Sequence, residues 1–339
     1  MKVDLAQIYR DIYVKPSREV FELAVDRGYL PYMVQRYVDM LGYDNAIKLL
    51  DAFDKPTKPV VRTNTLLVEP RNLKERLEKL GFKLTEIPWC PGSFWVTEQP
   101  RTPSLGATHE YLKGYYYVHR DASSLIPVLL LLHEHNGDVL DTCAAPGGKA
   151  TFMAQLLEGG KGLVYANDLV LYRLKALIGH VMRLKLSNVI VTWSDARKLK
   201  YKLGKRFKRV LLDAPCSGEG RISVDPGRKS RTSILDLAIM VKREIELLDS
   251  ALDLVETSGV LVYVTCSVAP EENEYVVDTV LKHRGDFEVV EPPLKLLDYS
   301  KGLVEYRHLK FAPEVENCIR LWPHVHGLFG YTICTLRKR

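Results

Sequence analysis

Hydrophobic positions recur at helical spacing along the amino-terminal part of the chain. Three such stretches lie between residues 17 and 54, and Gly28 and Gly42 stand where a helix commonly ends. The sequence DKPTKP follows, and two prolines in such a short segment cannot continue a helix. We therefore predict a helical extension over residues 1–55.

The pattern between residues 60 and 97 is mixed. Residues 60–68 are mostly apolar and β-branched, which favours a strand, whereas residues 72–81 have helical spacing. A second extended stretch covers residues 82–97. We predict a small α+β domain over residues 56–115.

Short apolar strands alternate with helices from about residue 117 to the end of the chain. The strands are predicted at residues 137–142, 162–168, 188–195, 208–215, 259–267, 286–292 and 331–337. One long helix is predicted over residues 233–258 and another over 270–285. Such alternation builds a doubly wound, mostly parallel sheet, so we predict an α/β domain over residues 116–339.

Length and composition are those of a globular enzyme with room for two domains and a small extension. The chain has 339 residues, of which 46% are apolar. Its longest apolar run, residues 126–132, is far shorter than the roughly 20 residues that span a bilayer. The amino terminus carries acidic residues and no apolar core, so we expect no secretory leader, no membrane partner and a cytoplasmic location.

The cysteines do not form a metal-binding pattern. They stand at positions 90, 143, 216, 266, 318 and 334, without a C-x-x-C pair. In a cytoplasmic chain we expect them to be reduced thiols. His133 and His135 are two positions apart on a predicted helix and would point to different faces, so we expect no metal site.

The net charge of +6 is modest, but basic residues cluster in two places. We interpret the first cluster, within residues 198–209, as a solvated face. The second follows Cys216 and favours a phosphate-bearing substrate there. Its members are Arg221, Arg228, Lys229 and Arg231.

The sequence DTCAAPGGK, residues 141–149, follows a predicted strand and opens a helix. Gly147 and Gly148 let the backbone approach a ligand closely, and the amino end of the helix offers N–H groups to an anion. The patterns G-x-G-x-x-G and G-x-x-x-x-G-K-[ST] are absent, so a pyrophosphate is not the expected ligand. S-adenosylmethionine fits better, because it brings a carboxylate and no phosphate to this turn.

Aspartates follow four strands of the predicted sheet: Asp141, Asp168, Asp195 and Asp213. Asp168 stands where a doubly wound sheet binds ribose hydroxyl groups, and Asp195 could accept from an adenine amino group. A single aspartate after a strand is more often a helix cap or a turn former. Four at one sheet edge favour a binding role.

Two cysteines are predicted just past the carboxyl ends of strands, at the edge where open α/β sheets bind ligands. They are Cys216 in DAPCSGEG and Cys266 in VYVTCSVAPEEN. A lone cysteine in such a place is more often a small buried hydrophobic residue. Here Asp213 stands three positions before Cys216, and Pro215 fixes the turn between them.

Methylation at carbon 5 of cytosine needs the groups that these motifs supply. Carbon 5 becomes nucleophilic only after a thiolate adds to carbon 6, which requires a reactive thiol. The reaction also needs an acid at ring nitrogen 3 and a base that removes the carbon 5 proton. One thiol, a carboxylate and a second thiol meet these needs, provided that the cytosine is flipped out or single-stranded.

The chain resembles the Nop/Sun family of RNA cytosine-5 methyltransferases, in its archaeal-type, transfer RNA-like branch. The matching motifs are RTNTL (62–66), RDASSLIP (120–127), DTCAAPGGKAT (141–151), DAPCSGEGR (213–221), VTCSVAPEENE (264–274) and RLWPHVHG (320–327). The resemblance implies a Rossmann-like methyltransferase sheet over 116–339 and an RNA-recognition-like subdomain over 56–115. The family's G-F-F close of the last motif reads GLFGYTIC here, which departs from the pattern.

The resemblance also implies a role for each site residue. Cys266 would be the nucleophile, Cys216 would assist proton removal and product release, and Asp213 would lie near the cytosine and the methyl donor. The turn would hold the methionine end of S-adenosylmethionine, Asp168 and Asp195 its nucleoside, with Arg173 as a supporting contact. The residues implied in cofactor binding are Cys143, Ala144, Ala145, Pro146, Gly147, Gly148, Lys149, Asp168, Arg173, Asp195 and Asp213.

RNA is the expected partner. Transfer RNA is the preferred substrate, because the chain is compact and lacks the family's larger RNA-binding attachments, and ribosomal RNA is the alternative. Two other classes remain open. One is a non-catalytic RNA-binding or ribosome-assembly factor, which has no physical need for both thiols; the other is an amino-methylating enzyme, which needs none.

Overall fold

The computed structural model describes residues 3–339; Met1 and Lys2 of the predicted helical extension lie outside the described residues. The chain forms two units. The terminal unit holds the chain up to Pro56 together with Leu212–Pro292 and Asp298–Arg339. The central unit holds Thr57–Leu211 and Pro293–Leu297.

The helices and strands are numbered along the chain. The first part contains α1 (Leu5–Ile12), α2 (Arg18–Arg27), α3 (Pro31–Leu41), α4 (Tyr43–Phe53), β1 (Val60–Thr63), α5 (Pro70–Lys79), β2 (Lys83–Glu86), β3 (Ser93–Glu98), α6 (His109–Leu112) and β4 (Tyr116–His119). The middle part contains α7 (Ile126–Leu131), β5 (Val139–Asp141), α8 (Gly148–Leu156), β6 (Val164–Asp168), α9 (Leu171–Arg183), β7 (Val189–Trp193), α10 (Leu199–Leu203) and β8 (Phe207–Asp213). The last part contains α11 (Arg228–Arg231), α12 (Ile234–Leu252), β9 (Val255–Thr265), α13 (Glu274–His283), β10 (Phe287–Val290), β11 (Ser300–Lys301), β12 (Glu305–Tyr306), β13 (Leu309–Lys310), β14 (Ile319–Leu321), α14 (Pro323–His326) and β15 (Tyr331–Lys338).

The amino-terminal helices form where the hydrophobic spacing predicts them. Ser17 caps α2 by accepting a hydrogen bond from the backbone of Val20, and Gly28 ends the helix in the left-handed region at φ 73°. Gly42 ends α3 at φ 75°. Helices α2 to α4 bury a common apolar core in the terminal unit, which Ile222, Val268 and Trp322 from later parts of the chain complete.

The central unit contains a four-stranded antiparallel sheet in the order β2-β3-β1-β4. Leu73 and Leu77 of α5 are buried with Phe82, Phe94 and Tyr116 in one apolar cluster. Amphipathic spacing in α5 and β-branched residues in β1 account for both elements. The predicted small α+β unit is thereby confirmed.

Parallel strands make up the larger sheet of the central unit. β5 pairs in parallel with β6 and with β8, and β6 pairs in parallel with β7. Helices α8 and α9 follow β5 and β6, as in a doubly wound arrangement. The carboxyl ends of these strands carry the predicted cofactor turn and its aspartates.

In the terminal unit the pairing is antiparallel. β15 lies between β9 and β14, and β10 also pairs with β15. Ala214, directly after β8, donates its backbone N–H to the carbonyl of Val264 in β9 over 2.9 Å. The α/β methyltransferase-type fold predicted from the sequence is confirmed, and its sheet is mixed.

Two helix boundaries differ from the sequence predictions. The helix predicted over 233–258 ends at Leu252, and β9 already begins at Val255; this strand pairs with β15 over its later residues, Val260–Thr265. The helix predicted over 270–285 is divided: a 3₁₀ turn, Pro270–Glu272, is followed by α13 after Asn273. Asn273 has φ −117° and ψ −95°, outside the helical region.

The expectation of reduced thiols throughout is wrong for two cysteines. Cys318 and Cys334 form a disulfide, with their Cα atoms 4.4 Å apart. They lie directly opposite each other, because β14 and β15 pair with Ile319 facing Ile333. The expected compartment alone does not reveal which cysteines the strand register brings together.

Among residues 3–339, no helix has both the length and the apolar character that crossing a membrane requires.

Candidate active site

The two predicted thiols meet at the ends of β8 and β9 in the terminal unit. Cys216 follows β8 by three residues and Cys266 follows β9 directly. Their sulfur atoms are 3.4 Å apart, a distance at which one thiol can donate a hydrogen bond to the other sulfur. Both side chains are partly exposed, so the pair is positioned for covalent chemistry at the edge of the sheet.

The environment of Cys216 keeps its proton bound. The hydrogen bond with Cys266, burial and the charges of Glu272 and Glu244 together raise the pKa of the Cys216 thiol well above its ordinary value. The geometry allows either thiol to donate, and the raised pKa of Cys216 favours Cys216 as the donor.

Glu272 fixes the loop that carries Cys216. Its carboxylate accepts hydrogen bonds from the backbone N–H and the hydroxyl of Ser217, both over 2.6 Å, while its own carbonyl accepts from the Tyr263 hydroxyl over 2.7 Å. Glu272 is fully buried. The sequence analysis did not assign it, although two successive acids after Pro270 in an otherwise apolar segment are an available signal.

Glu244 of α12 is a second buried carboxyl group at this site. Its side chain is fully buried, and burial, followed by the negative charge of Glu272, raises the pKa of Glu244 well above its usual range. Its position also carries a sequence signal, because residue 244 falls on the apolar face of α12 between Val241 and Leu248.

Arg221 is the cationic side chain at the other sulfur. Burial opposes its charge, but the charge of Cys266 and a side-chain hydrogen bond with it raise the pKa of Arg221 above its ordinary value. Arg221 lies in the 3₁₀ turn Glu219–Val224, and the N–H of its neighbour Gly220 donates to the Cys266 carbonyl over 3.0 Å. The sequence analysis counted Arg221 only as part of a basic cluster.

The remaining basic residues of that cluster make contacts within the terminal unit. Arg228 pairs with Asp225 over 3.1 Å and donates to the carbonyl of Ser217. Arg231 pairs with Asp225 over 3.0 Å, and Lys229 pairs with Asp54 over 2.7 Å. The cluster therefore organises the loop after Cys216, in addition to any charge that it presents to a substrate.

Asn273 holds the loop after Cys266. Its carboxamide oxygen accepts from the hydroxyl of Thr265 over 2.6 Å, and its amide donates to the carbonyls of Ser267 and Ala269 over 3.1 and 2.8 Å. These three bonds explain why Asn273 leaves helical geometry. Asp213, predicted next to the cytosine, is the half-buried last residue of β8.

A buried ion cluster joins the amino-terminal helices to the same loops. Arg36 of α3, fully buried, contacts Glu219 at 2.5 Å and Glu271 at 3.0 Å. Burial raises the pKa of Glu219 to about 7, although Arg36 acts against this shift. Glu219 and Glu271 belong to the loops that follow Cys216 and Cys266, so α3 is a structural part of the thiol site.

The second glycine of the SGEG sequence is required by close backbone contact. The N–H of Gly330 donates to the carbonyl of Gly220 over 3.0 Å. A Cβ atom on Gly220 would lie 1.9 Å from the carbonyl oxygen of Gly330. Gly220 thus allows the loop after Cys216 and the segment before β15 to touch.

The predicted cofactor turn lies in the central unit and is shaped mainly by backbone contacts. Ala144 donates its N–H to the carbonyl of Asn167 over 2.7 Å, and Ala145 donates to the carboxylate of Asp168 over 3.1 Å. The buried amide of Asn167 donates to the carbonyls of Thr142 and Ser194, each over 2.9 Å. The sequence analysis missed Asn167, whose signal is a polar residue inside an apolar strand.

Arg173 of α9 supports the turn. Its guanidinium donates to the carbonyl of Ala145 and lies 3.5 Å from the carboxylate of Asp168. The other carboxylate oxygen of Asp168 accepts from the backbone of Val170 over 2.9 Å. Asp168, at the end of β6, is therefore held in place and retains acceptor capacity for hydroxyl groups.

The other predicted cofactor residues stand around the same strand ends. Asp195 accepts from the Arg197 side chain over 2.7 Å and from its backbone N–H over 3.0 Å, and it caps a 3₁₀ turn. Lys149 is buried in the first turn of α8, Pro146 is exposed and Cys143 is partly exposed.

The donor set of the turn fits S-adenosylmethionine. Gly147 has φ 112°, and a Cβ atom there would lie 2.8 Å from Leu177, so the backbone needs glycine. This turn leads into the amino end of the nine-residue helix α8, which favours an anionic carboxylate. Asp168 and Asp195 supply acceptors of the kind that a nucleoside requires.

A Rossmann-like sheet with this turn, and with two cysteines at the ends of β8 and β9, defines a class of methyltransferases. Residues 128–337 match the family model described as 16S rRNA methyltransferase RsmB/F, and residues 30–119 match the N-terminal domain of 16S rRNA methyltransferase RsmF. The chain belongs to this RsmB/F, or Nop/Sun, family of RNA cytosine-5 methyltransferases, and the resemblance noted from its motifs is confirmed.

Named relatives and a solved structure agree with this assignment. The chain is 36% identical over 321 residues to the 28S rRNA (cytosine(4447)-C(5))-methyltransferase of Homo sapiens. This match covers 94% of this chain and 39% of the human protein. It is 32% identical over 288 residues to the ribosomal RNA small subunit methyltransferase F of Aeromonas salmonicida, covering 84% of this chain and 58% of that protein. The crystal structure of a methyltransferase homolog from Pyrococcus horikoshii superposes with a TM-score of 0.81 at 32% identity, covering 95% of this chain and all of that one. The chain thus spans between two fifths and three fifths of these two named relatives.

Proposed function

We propose that this protein is an S-adenosylmethionine-dependent RNA cytosine-5 methyltransferase that acts on ribosomal RNA through a covalent bond to Cys266. The observation that carries the proposal is the pair of sulfur atoms 3.4 Å apart at the ends of β8 and β9. An amino-methylating enzyme needs no such pair.

The names of the relatives favour ribosomal RNA over transfer RNA. Both named relatives are described as ribosomal RNA methyltransferases, one of the large and one of the small subunit. The sequence-based preference for transfer RNA rested on the compactness of the chain. Since compactness says nothing about which RNA is bound, the relatives' names carry more weight.

Three residues of the terminal unit are assigned to separate steps on the cytosine ring: Cys266, Asp213 and Cys216. The Cys266 sulfur forms a bond to carbon 6 of cytosine, and the electron pair of the carbon 5–carbon 6 double bond moves toward carbon 5. Asp213, at the end of β8, is assigned the hydrogen bond to the pyrimidine ring. Once Cys266 is bonded to carbon 6, the Cys216 thiol gives its proton to water. After methylation the Cys216 thiolate takes up the carbon 5 proton, the double bond re-forms, and the sulfur–carbon 6 bond breaks with its electron pair returning to Cys266. We assign Cys216 to this proton removal and release.

The residues of the central unit hold the methyl donor. The turn from Cys143 to Lys149 would receive the methionine end, and Asp168 and Asp195 the nucleoside, with Arg173 fixing the turn. When bound, S-adenosylmethionine supplies the electrophilic methyl carbon that carbon 5 accepts.

The substrate is tested with defined RNA. Unmodified transcripts of ribosomal RNA and of transfer RNA from the source organism are incubated separately with the protein and S-adenosylmethionine, digested, and analysed for 5-methylcytidine by mass spectrometry. We expect 5-methylcytidine in ribosomal RNA and background in transfer RNA. Product in transfer RNA alone would overturn the choice of RNA. RNA binding without any methyl transfer would overturn the enzyme assignment in favour of an assembly factor.

A further inference from the structure

Arg221 has no role in the reaction as described so far. Two backbone hydrogen bonds place it beside Cys266: Gly220 donates to the Cys266 carbonyl and accepts from Gly330, each over 3.0 Å. Arg221 follows Gly220 in the 3₁₀ turn, is partly buried, and forms a side-chain hydrogen bond with the Cys266 sulfur. The contact is therefore set by the loop backbone rather than by a mobile surface side chain.

The groups facing the two sulfurs differ in charge. Carboxyl groups of Glu272 and Glu244 and the buried phenol of Tyr263 surround Cys216, and none of these stabilises a negative sulfur. The guanidinium of Arg221 interacts with Cys266 through both charge and a hydrogen bond, and with Cys216 through a weaker charge interaction alone; it also lies near Tyr331 and Asp225. Glu244 interacts with Cys266 as well, but its raised pKa keeps it neutral.

We propose that Arg221 is a positioning residue for the methyl transfer: its guanidinium holds the negative charge on Cys266, so that Cys266 attacks the base while Cys216 keeps its proton. This inference rests on the proposed function. An adjacent arginine stabilises a thiolate relative to a thiol, and the S–H of Cys216 donates a second hydrogen bond to the same sulfur. The two cysteines thus acquire different roles from their neighbours rather than from their own chemistry.

The test measures thiol reactivity without RNA or methyl donor. The intact protein is alkylated with iodoacetamide across pH 5 to 10, and the modification of the Cys266, Cys216 and Cys143 peptides is followed separately by mass spectrometry. In the wild type we expect Cys266 to react at lower pH than Cys216. Arg221→Gln should move the midpoint for Cys266 upward by about one pH unit, which lowers its rate near pH 7 by about tenfold.

Two further variants separate charge from structure. Arg221→Lys keeps a cation and should restore most of the Cys266 reactivity. Arg18→Gln removes an exposed charge of the terminal unit that pairs with Glu22 over 3.0 Å, and it should leave the profile unchanged. Thermal unfolding of each variant establishes that the alkylated protein is folded.

The result that overturns the inference is a Cys266 profile in folded Arg221→Gln that matches the wild type. Should Arg221→Gln fail to fold, a wild-type protein in which Cys216 is alkylated before Cys266 overturns it equally. Failure of the proposed function gives a different pattern, because a protein that transfers no methyl group can still show Arg221-dependent reactivity at Cys266. Conversely, an active methyltransferase with Arg221-independent reactivity contradicts only the role of Arg221.

Discussion

Around Cys216 and Cys266 the terminal unit buries carboxyl groups, whereas behind the Gly147–Gly148 turn the central unit buries a guanidinium and imidazoles. Glu244 and Glu272 stand close to the thiols, and burial raises the pKa of Glu244.

In the central unit burial acts on basic side chains, and it lowers their pKa values instead of raising those of acids. Arg62, which is 2% exposed, donates to His119 over 3.2 Å and to Thr151 over 3.0 Å. Burial and then the charge of Arg62 lower the pKa of His119 well below its ordinary value. Tyr117 of the same group would be 3.4 Å from a Cβ atom on Gly148, so this group supports the turn.

The thiol site and the cofactor turn therefore depend on different kinds of interaction. The thiol site needs ionisable side chains to set which sulfur holds a proton. The cofactor turn needs a fixed backbone, and behind it the charged Arg62 packs beside His119, whose neutral form is favoured by burial and by that charge. Substitutions and pH should therefore affect the two units differently.

The largest expected effect is a loss of methyl transfer without a loss of stability when the nucleophile is removed. Cys266→Ala should lower methyl transfer by on the order of 10⁴-fold or more, because it removes the nucleophile, while the melting temperature changes little. Cys90→Ala, which removes a buried thiol from the central unit, should keep most of the activity. The two variants are compared by initial rates and thermal unfolding; comparable rates would contradict covalent catalysis.

The next effect tests the buried ions of the terminal unit. Arg36→Met leaves Glu219 and Glu271 buried without their cation, so it should lower the free energy of unfolding by about 3–5 kcal/mol at pH 8. The cost should be smaller at pH 5.5, because a carboxyl group with a raised pKa is protonated there. Urea unfolding measures both values, with Arg18→Met as the control for an exposed pair with Glu22, expected within about 0.5 kcal/mol of wild type. Equal losses for the two variants would remove the distinction between the buried and the exposed pair.

A third prediction concerns acid sensitivity of the central unit. Burial, followed by the charge of Arg183, lowers the pKa of His180 to about 4. The folded protein favours the neutral form of His180, whereas in the unfolded chain its pKa is higher, near 6.5. The contribution of His180 to the free energy of unfolding is therefore fully present above about pH 6.5 and is lost as the pH falls toward 4. His180→Gln should reduce the acid-induced loss in unfolding free energy by about 2 kcal/mol over that window. Exposed His109→Gln is the matched control, and identical pH slopes for both variants would refute the assignment.

The smallest effect concerns the backbone of the turn. Gly147→Ala forces a side chain onto φ 112° and against Leu177, so we expect a loss of about 1–2 kcal/mol in stability and weaker binding of S-adenosylhomocysteine by calorimetry. Gly179→Ala lies in α9 with nothing within 4 Å, and it should stabilise the helix by up to about 1 kcal/mol. Unchanged binding by Gly147→Ala would mean that the turn does not contact the cofactor.

Much of this arrangement is accessible from local sequence. Glycine placement gave the ends of α2 and α3, and the alternation of strands and helices gave the α/β fold. Periodicity failed at Val255, where the chain enters β9, a strand that pairs with β15 from Val260 onward, earlier than the helical spacing suggests. The Cys318–Cys334 disulfide likewise depends on strand register.

The thiols and the turn could be located by motif, but their electrostatics could not. Nothing local to position 36 indicates that Arg36 contacts Glu219 and Glu271, because these residues are separated by 183 and 235 positions. The spacing of α12 places Glu244 on its apolar face, but only the structure shows that Glu244 is close to Glu272. The buried charges around a site are set by tertiary contacts, and they are the part that sequence analysis missed.

The central claim is that Cys266 bonds covalently to cytosine and that Cys216 releases the product. We would incubate Cys216→Ala with S-adenosylmethionine and ribosomal RNA, denature the mixture, and measure RNA that remains bound to protein. Covalent attachment through Cys266 predicts a denaturant-resistant complex of protein and RNA with Cys216→Ala, and it predicts that this complex is absent with the double variant Cys216→Ala/Cys266→Ala. Absence of that complex, with 5-methylcytidine still formed by the Cys266→Ala protein, would contradict it.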